Sequence, residues 1–164
     1  MAAVVDASAS LPWFLDDERT AFTDAVFASL GVAEYWVPAV WRVEFANALL
    51  AAERLKRIDR QTRMEALDLA GGLALRVDPA AIDMRAISAL AERHGLSTYD
   101  ACYLELALRS GFDLITLDRA LADAADAEGV PVHAPGRSSA AQVRRRYAAA
   151  GLQSVVAKKA LSTR

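Results

Sequence analysis

Apolar residues along this chain come in two rhythms. Short apolar-rich runs at 2–5 (AAVV), 34–37 (EYWV), 75–77 (LRV), 114–117 (LITL) and 130–133 (VPVH) read as strands. Between them lie longer stretches where apolar positions return every three or four residues, the period of an amphipathic helix. The first is brief, LPWFL. The next opens on Asp16, Asp17 and Glu18, whose charges suit a helix N-terminus, and runs to Leu30, where Gly31 stops it. Pro38 suits the first turn of a helix of about five turns, with Trp41, Phe45, Ala48, Leu49, Ala52 and Leu55 as its core stripe. Residues 59–75 form an amphipathic segment interrupted by Gly71-Gly72, and Pro79 starts a helix to Arg93. A helix from Ser97 to Ser110 is closed by Gly111, and one from Asp118 to Glu128 by Gly129. Strands alternating with helices predict a three-layer α/β/α sandwich on a mainly parallel sheet.

Four acids break this pattern. Asp6 stands where the first strand ends, with Ser8 two residues on. Asp118 stands where the 114–117 strand ends, with Thr116 two residues before it. Asp100 lies roughly 140–180° around its helix from Glu105 and Arg109, on the side of Leu104 and Ala107. Glu44 lies roughly 160–180° from Arg42 and Glu53, with Asn47 beside it. Taken singly, each has an ordinary explanation. Asp6 or Ser8 caps the next helix, Asp100 completes a capping box with Ser97, and Glu44 is a surface acid or a partner for Arg54 or Arg57.

Taken together they point to chemistry. Open parallel sheets bind ligands beyond the carboxyl ends of their strands, where strand order reverses. If the strands ending at Asp6 and Asp118 are neighbours, the helix-borne Glu44 and Asp100 can close a ring of four carboxylates. One like-charged pair at 4 Å costs about 1 kcal/mol in water and about 4 kcal/mol at an effective dielectric near 20. Either some of the acids hold protons or a divalent cation neutralises them. Oxygen donors without a Cys/His cluster favour Mg2+ or Mn2+ over zinc, and such an ion can activate water against a phosphodiester. Thr116 and Ser8 are then hydroxyls placed to orient the carboxylates.

Composition adds bounds. A chain of 164 residues, 54% hydrophobic, is long enough for one well-filled domain. No apolar run approaches the ~20 residues of a membrane span, and the N-terminus lacks a basic, cleavable leader, which predicts a cytoplasmic protein. The single Cys102 fits a reducing compartment and reads as packing, and His94 complements a helix C-terminus. The net charge of −2 hides an asymmetry: residues 1–136 carry 12 Lys/Arg and all 21 Asp/Glu, the last 28 carry seven basic residues and no acid. The shift at PGRSS divides a domain at 1–134 from a basic extension at 135–164. A peripheral helix, an RNA-touching arm and an appended segment outside the fold all fit that extension. Arg54, Lys56, Arg57, Arg60 and Arg63 gather at one helix junction, as a solvated face or a phosphate track. Trp13 and Phe14 are candidates for an exposed interface. No G-x-G-x-x-G, G-x-x-x-x-G-K-[ST] or G-x-S-x-G occurs, which disfavours dinucleotide, P-loop and triad-hydrolase chemistry. The first strand ends D-A-S, unlike an aspartyl-phosphate phosphatase.

VVDASA, VEFANAL, LSTYDACYLELAL and LITLDRAL, in this order and spacing, resemble the PIN-domain nucleases, and more narrowly the VapC-type toxins of type II toxin–antitoxin pairs. The resemblance spans about residues 2–133. It implies a sheet of four or five parallel strands and a Mg2+ or Mn2+ site built from Asp6, Glu44, Asp100 and Asp118. Thr116, Ser8 and Asn47 match its supporting polar positions. It further implies RNA cleavage, a homodimer and silencing by a cognate antitoxin. Arg42, Arg54 and Arg57 are then the candidate RNA contacts on an otherwise acidic body. The alternatives are a PIN-type nuclease of RNA processing or of DNA, and a catalytically weak RNA- or protein-binding module. The basic tail departs from the family pattern.

Overall fold

The computed structural model describes residues 2–137 and Gln142, so most of the basic extension lies outside the described residues. In chain order the elements are β1 (Ala2–Val5), α1 (Ala7–Ser10), α2 (Ala21–Ala28), β2 (Glu34–Val37), α3 (Trp41–Arg54) and α4 (Arg60–Gly71). Then follow β3 (Leu75–Val77), α5 (Met84–His94), α6 (Thr98–Ser110), β4 (Asp113–Ile115), α7 (Arg119–Ala127) and β5 (Val132–His133). The strands form one parallel sheet in the order β3-β2-β1-β4-β5. From β1 the chain steps one way to β2 and β3, then crosses back to lay β4 on the free side of β1. The order therefore reverses between β1 and β4. Ala3, Val4 and Val5 alternate in direction yet are all fully buried, so both faces of the central strand are covered by helices. That is the expected α/β sandwich. Among the described residues no helix is long and apolar enough to cross a membrane.

The register decides what meets at the switch. Val5 lies opposite Ile115, so Asp6 and Thr116 leave the sheet side by side. The Asp6 N–H donates to the Ile115 carbonyl at 2.9 Å, extending the ladder into the loop. Under the sheet, Phe45 stacks on Trp41 at 4.9 Å and meets the edge of Phe14 at 5.2 Å. Such ring pairs contribute about 0.5–1.5 kcal/mol each beyond their buried area. They anchor the first turns of α3, where Glu44 sits.

Several expected boundaries move, each for a local reason. The long helix from Pro38 is shorter: α3 starts at Trp41 and ends at Arg54, and Lys56 turns the chain at φ 59. Its buried stripe is Trp41, Phe45, Leu49 and Ala52, while Leu55 is 72% exposed. Asp16–Glu18 form a 3-10 turn of their own, and α2 is instead opened by a Thr20–Thr23 capping box. Those acids pair with arginines: Arg57 donates to Asp17 and Glu18, and Arg19 faces Asp16 and Asp24. Pro79 does not start α5. Asp83 does, accepting the N–H groups of Arg85 and Ala86 at 2.9 and 3.1 Å. Trp13 and Phe14 turn inward, Trp13 donating its indole N–H to the Thr23 carbonyl at 3.0 Å and lying 5.5 Å from Phe27.

Candidate active site at the reversal of strand order

Asp6 is the fixed point of this region. It follows β1 directly and is only 4% exposed. Two hydroxyls converge on one carboxylate oxygen, Oδ2. Thr116 donates to it at 2.8 Å from the end of β4, and Ser8 donates to it from the first turn of α1. Each hydroxyl is itself aimed by backbone: Thr116 Oγ1 accepts the Asp118 N–H and Ser8 Oγ accepts the Leu117 N–H, both at 2.9 Å. A donor that already accepts a backbone N–H has its proton directed at the carboxylate. Burial pushes the Asp6 carboxyl above the usual range, the two hydroxyls pull it back, and the charge of Asp100 adds to the rise.

Glu44 and Asp100 approach from α3 and α6. Glu44 is half-buried, and burial raises its carboxyl. The Tyr103 hydrogen bond opposes that rise, while the charges of Asp6 and Asp100 reinforce it. The Tyr103 hydroxyl donates to Glu44 Oε2 at 2.5 Å, across 59 positions of sequence. Tyr103 lies one helical turn beyond Asp100 and is 0% exposed. Burial, and then the charge of Asp6, drive its phenol far above the ordinary range, so it stays a neutral donor. Asp100 is half-buried at the N-terminus of α6. Its N–H donates to Ser97 Oγ at 3.1 Å, and Ser97 in turn donates to Asp100 Oδ2 at 2.6 Å. The cap is therefore Ser97, with the Asp100 carboxylate receiving the serine hydroxyl rather than a backbone N–H.

Asp118 takes a different position. It is exposed, caps α7 by accepting the Leu121 N–H at 2.8 Å, and connects to Asp6 through Thr116. The charge of Asp100 thus acts on both Asp6 and Glu44, the charge of Asp6 acts on Glu44, and Asp118 is tied to Asp6 through the Thr116 hydroxyl. Asn47 is exposed one turn along α3 from Glu44. Arg42 and Arg54 are exposed, whereas Arg57 is engaged by Asp17 at 2.8 Å and Glu18 at 2.6 Å. Cys102 is buried, its thiol donating to the Thr98 carbonyl at 3.1 Å and pushed up to about 11 by burial, which suits packing rather than reactivity. His94 pairs with Glu128 at 2.7 Å at the end of α5.

Among the described residues no three His, Cys, Asp or Glu side chains form a group that could by themselves hold a metal ion. A separate cavity of about 220 Å³ lies between α3, α4 and β3, lined by Trp41, Phe45, Leu67 and Leu75 with Arg42 among them, and none of the four acids borders it. Two residues of the site escaped the sequence reading, Tyr103 and the hydroxyl of Ser97 as donor to Asp100. Tyr103 carried a signal: spacing of three places it on the Asp100 face of α6, together with Leu104 and Ala107.

The chain matches the family model described as PIN domain over residues 3–127. It is 34% identical over 131 residues to Ribonuclease VapC3 of Pyrobaculum aerophilum, an alignment covering 75% of this chain and 94% of that protein. Among solved structures, the crystal structure of PAE2754 from Pyrobaculum aerophilum superposes with a TM-score of 0.65 at 24% identity, over 92% of this chain and 97% of that one. At that identity the likeness speaks for the fold.

Proposed function

This chain belongs to the PIN-domain family, in its VapC branch, and from that premise we propose that it is a divalent-metal-dependent endoribonuclease acting as the toxin of a toxin–antitoxin pair. What supports the reading is that acids from one strand end and two helices act on one another: the charges of Asp6 and Asp100 add to the rise that burial gives Glu44, and that of Asp100 adds to the rise of Asp6, which stands where the strand order reverses. A name of ribonuclease on a relative 34% identical supports RNA as the substrate.

The donor set fits Mg2+ or Mn2+. It is all oxygen, and a small hard cation keeps several waters while taking one or two carboxylates, with substrate phosphate completing the shell. A closed cage of three side chains is not needed, so the open arrangement at the switch suits it. Asp6 and Asp100 are the ligands we assign, with Asp118 at the rim and Glu44 direct or through water. The ion, when bound, would offset the charge of the phosphodiester and acidify water. The chain does the rest. Ser8 and Thr116 hold Asp6 Oδ2 in one orientation. Glu44, its carboxyl raised by burial, would take the proton of the attacking water. RNA is held by exposed arginines, Arg42 and Arg54 first, and the basic extension supplies the remaining positive charge. A cognate antitoxin and a second copy of the chain complete the proposed partners.

Brief expression of wild type and of Asp6→Asn, followed by sequencing of RNA ends, tests this. New, metal-dependent 5′ ends in wild type alone are expected, and growth arrest relieved by the product of a neighbouring gene identifies the antitoxin. Equal end profiles for the two proteins would overturn the nuclease. The second reading, a weak RNA- or protein-binding module, draws on the exposed Asp118 and the absence of a ready three-residue cage among the described residues. RNA binding that persists in EDTA without cleavage in Mg2+ or Mn2+ would favour it.

A further inference from the structure

Tyr103, like Thr116, is a buried member of the site that is not itself an acid, and it serves the helix side. Its ring is fully buried, yet its hydroxyl ends on a carboxylate of α3. A buried phenol needs an acceptor, and main-chain carbonyls are its commonest neighbours. Here the acceptor is Glu44 Oε2, at 2.5 Å. Among the described residues this is the hydrogen bond that holds the Glu44 carboxylate. One oxygen is pinned by the phenol, which sets the plane of the carboxylate and leaves Oε1 for water, an ion or a proton. Because Asp100 and Tyr103 lie one turn apart on α6, the helix that presents one acid also carries the donor that positions another.

We propose that Tyr103 is a positioning residue, whose hydroxyl fixes Glu44 relative to Asp6 and Asp100 so that the acids act as one site. This deepens the metal-dependent reading above and rests on it. Tyr103 does not touch RNA: at 0% exposure no substrate can reach it. Its contribution must therefore run through Glu44.

The test is Tyr103→Phe, which keeps the ring and removes one hydroxyl, in wild type and in a Glu44→Gln background. Mn2+ binding is read by electron paramagnetic resonance, RNA cleavage by kcat and KM, and folding by thermal unfolding. Partners that orient a ligand typically contribute 10–100-fold to metal affinity. We expect Tyr103→Phe to weaken Mn2+ binding about 10-fold and to lower kcat by a similar factor, on the scale of such orienting partners. KM for RNA should stay the same, and so should the unfolding midpoint, since half-buried Glu44 can take up water instead. In the Glu44→Gln background the same change should do nothing further. Wild-type Mn2+ affinity and kcat in Tyr103→Phe would overturn the assignment. So would equal losses with and without Glu44, or a variant that no longer folds cooperatively, which would make the hydroxyl part of the core. Wild type that binds no Mn2+ but has the folded spectrum overturns the metal reading itself, and is told apart because the variant is not needed to see it.

Discussion

The two halves of the site are built by different means. At the strand ends, position is inherited from the sheet: Val5 pairs with Ile115, the Asp6 N–H continues the ladder at 2.9 Å, and two hydroxyls aimed by backbone amides grip one oxygen of Asp6. On the helix side, Glu44 and Asp100 depend on side chains, the Tyr103 phenol and the Ser97 hydroxyl. A ladder has few ways to shift, because a slip of one residue would turn every side chain to the other face. The Tyr103–Glu44 bond joins α6 to α3 and shifts whenever either helix moves by a fraction of an ångström. The strand half is the reference frame, and the helix half is where the geometry of the acids is adjusted.

The largest effects should come from breaking the frame. Asp6→Asn keeps the shape and removes one negative charge from a crowded group, so the fold should persist while RNA cleavage falls to background. Asp100→Asn should do the same from the helix side. Full activity in either, measured on single-stranded RNA with Mg2+, would remove that residue from the site. Thr116→Val comes next. It takes one donor from Asp6 and strands the Asp118 N–H, so cleavage and Mn2+ affinity should drop about 10–100-fold. Ser8→Ala should cost less, because Ser8 is half-buried and water can replace its hydroxyl. If Ser8→Ala proves the more harmful, the grip on Asp6 comes from α1 rather than from β4.

The same division explains what could be read from the chain before its structure. Strand ends were legible because a short apolar run followed by Asp marks both an end and an acid, and the alternation of elements implies parallel neighbours. The Asp6–Thr116 pairing then needed only the register. Glu44 and Asp100 stood out by their angle to the charged face of each helix. Tyr103 did not, because an aromatic on an apolar helix face is core in most proteins, and nothing local says that its hydroxyl meets an acid 59 positions away. Boundaries failed where a side chain rather than periodicity sets the start. Asp83 caps α5 where Pro79 looked sufficient, and Thr20 caps α2 where three acids looked sufficient. The unequal burial of Asp6 and Asp118 was equally invisible, since both follow a strand in sequence, yet Asp6 is buried and Asp118 exposed.

A smaller effect, common to both halves, is a pH dependence of stability in metal-free protein. Asp6 and Glu44 have carboxyls raised by folding, so the folded state holds their protons more tightly than the unfolded chain does. Stability should then fall as pH rises from the usual carboxylate range, about 4, through the raised values, because the unfolded chain releases these protons first. Below that range both states are protonated and nothing is lost. In EDTA, Asp6→Asn should therefore melt at or below the wild-type temperature near pH 4 and above it at pH 7. A gain of about 2–4 °C corresponds to ~1 kcal/mol in a domain of this size. Mg2+ should raise the wild type at pH 7 and leave Asp6→Asn almost unmoved. A gain that is the same at pH 4 and pH 7 would mean that charge at Asp6 is not what strains the apo fold.

The smallest expected effect concerns how RNA reaches the helix half. Arg42 is exposed on α3, two residues before Glu44, while Arg57, past the C-terminal end of that helix, is held by Asp17 and Glu18. A cation without an acidic partner releases counterions when a phosphate binds it; one already paired has far less to release. Arg42→Gln should weaken RNA binding a few-fold and reduce the slope of log K against log salt by about 1. Arg57→Gln should leave that slope where it is. Binding titrations from low to moderate salt, done with the Asp6→Asn protein so that substrate survives, measure both. If Arg57→Gln changes the slope and Arg42→Gln does not, RNA enters from the α3–α4 junction. The acids of the 3-10 turn then act as a gate that phosphate displaces, and the helix half of the site extends a full helix length beyond Glu44.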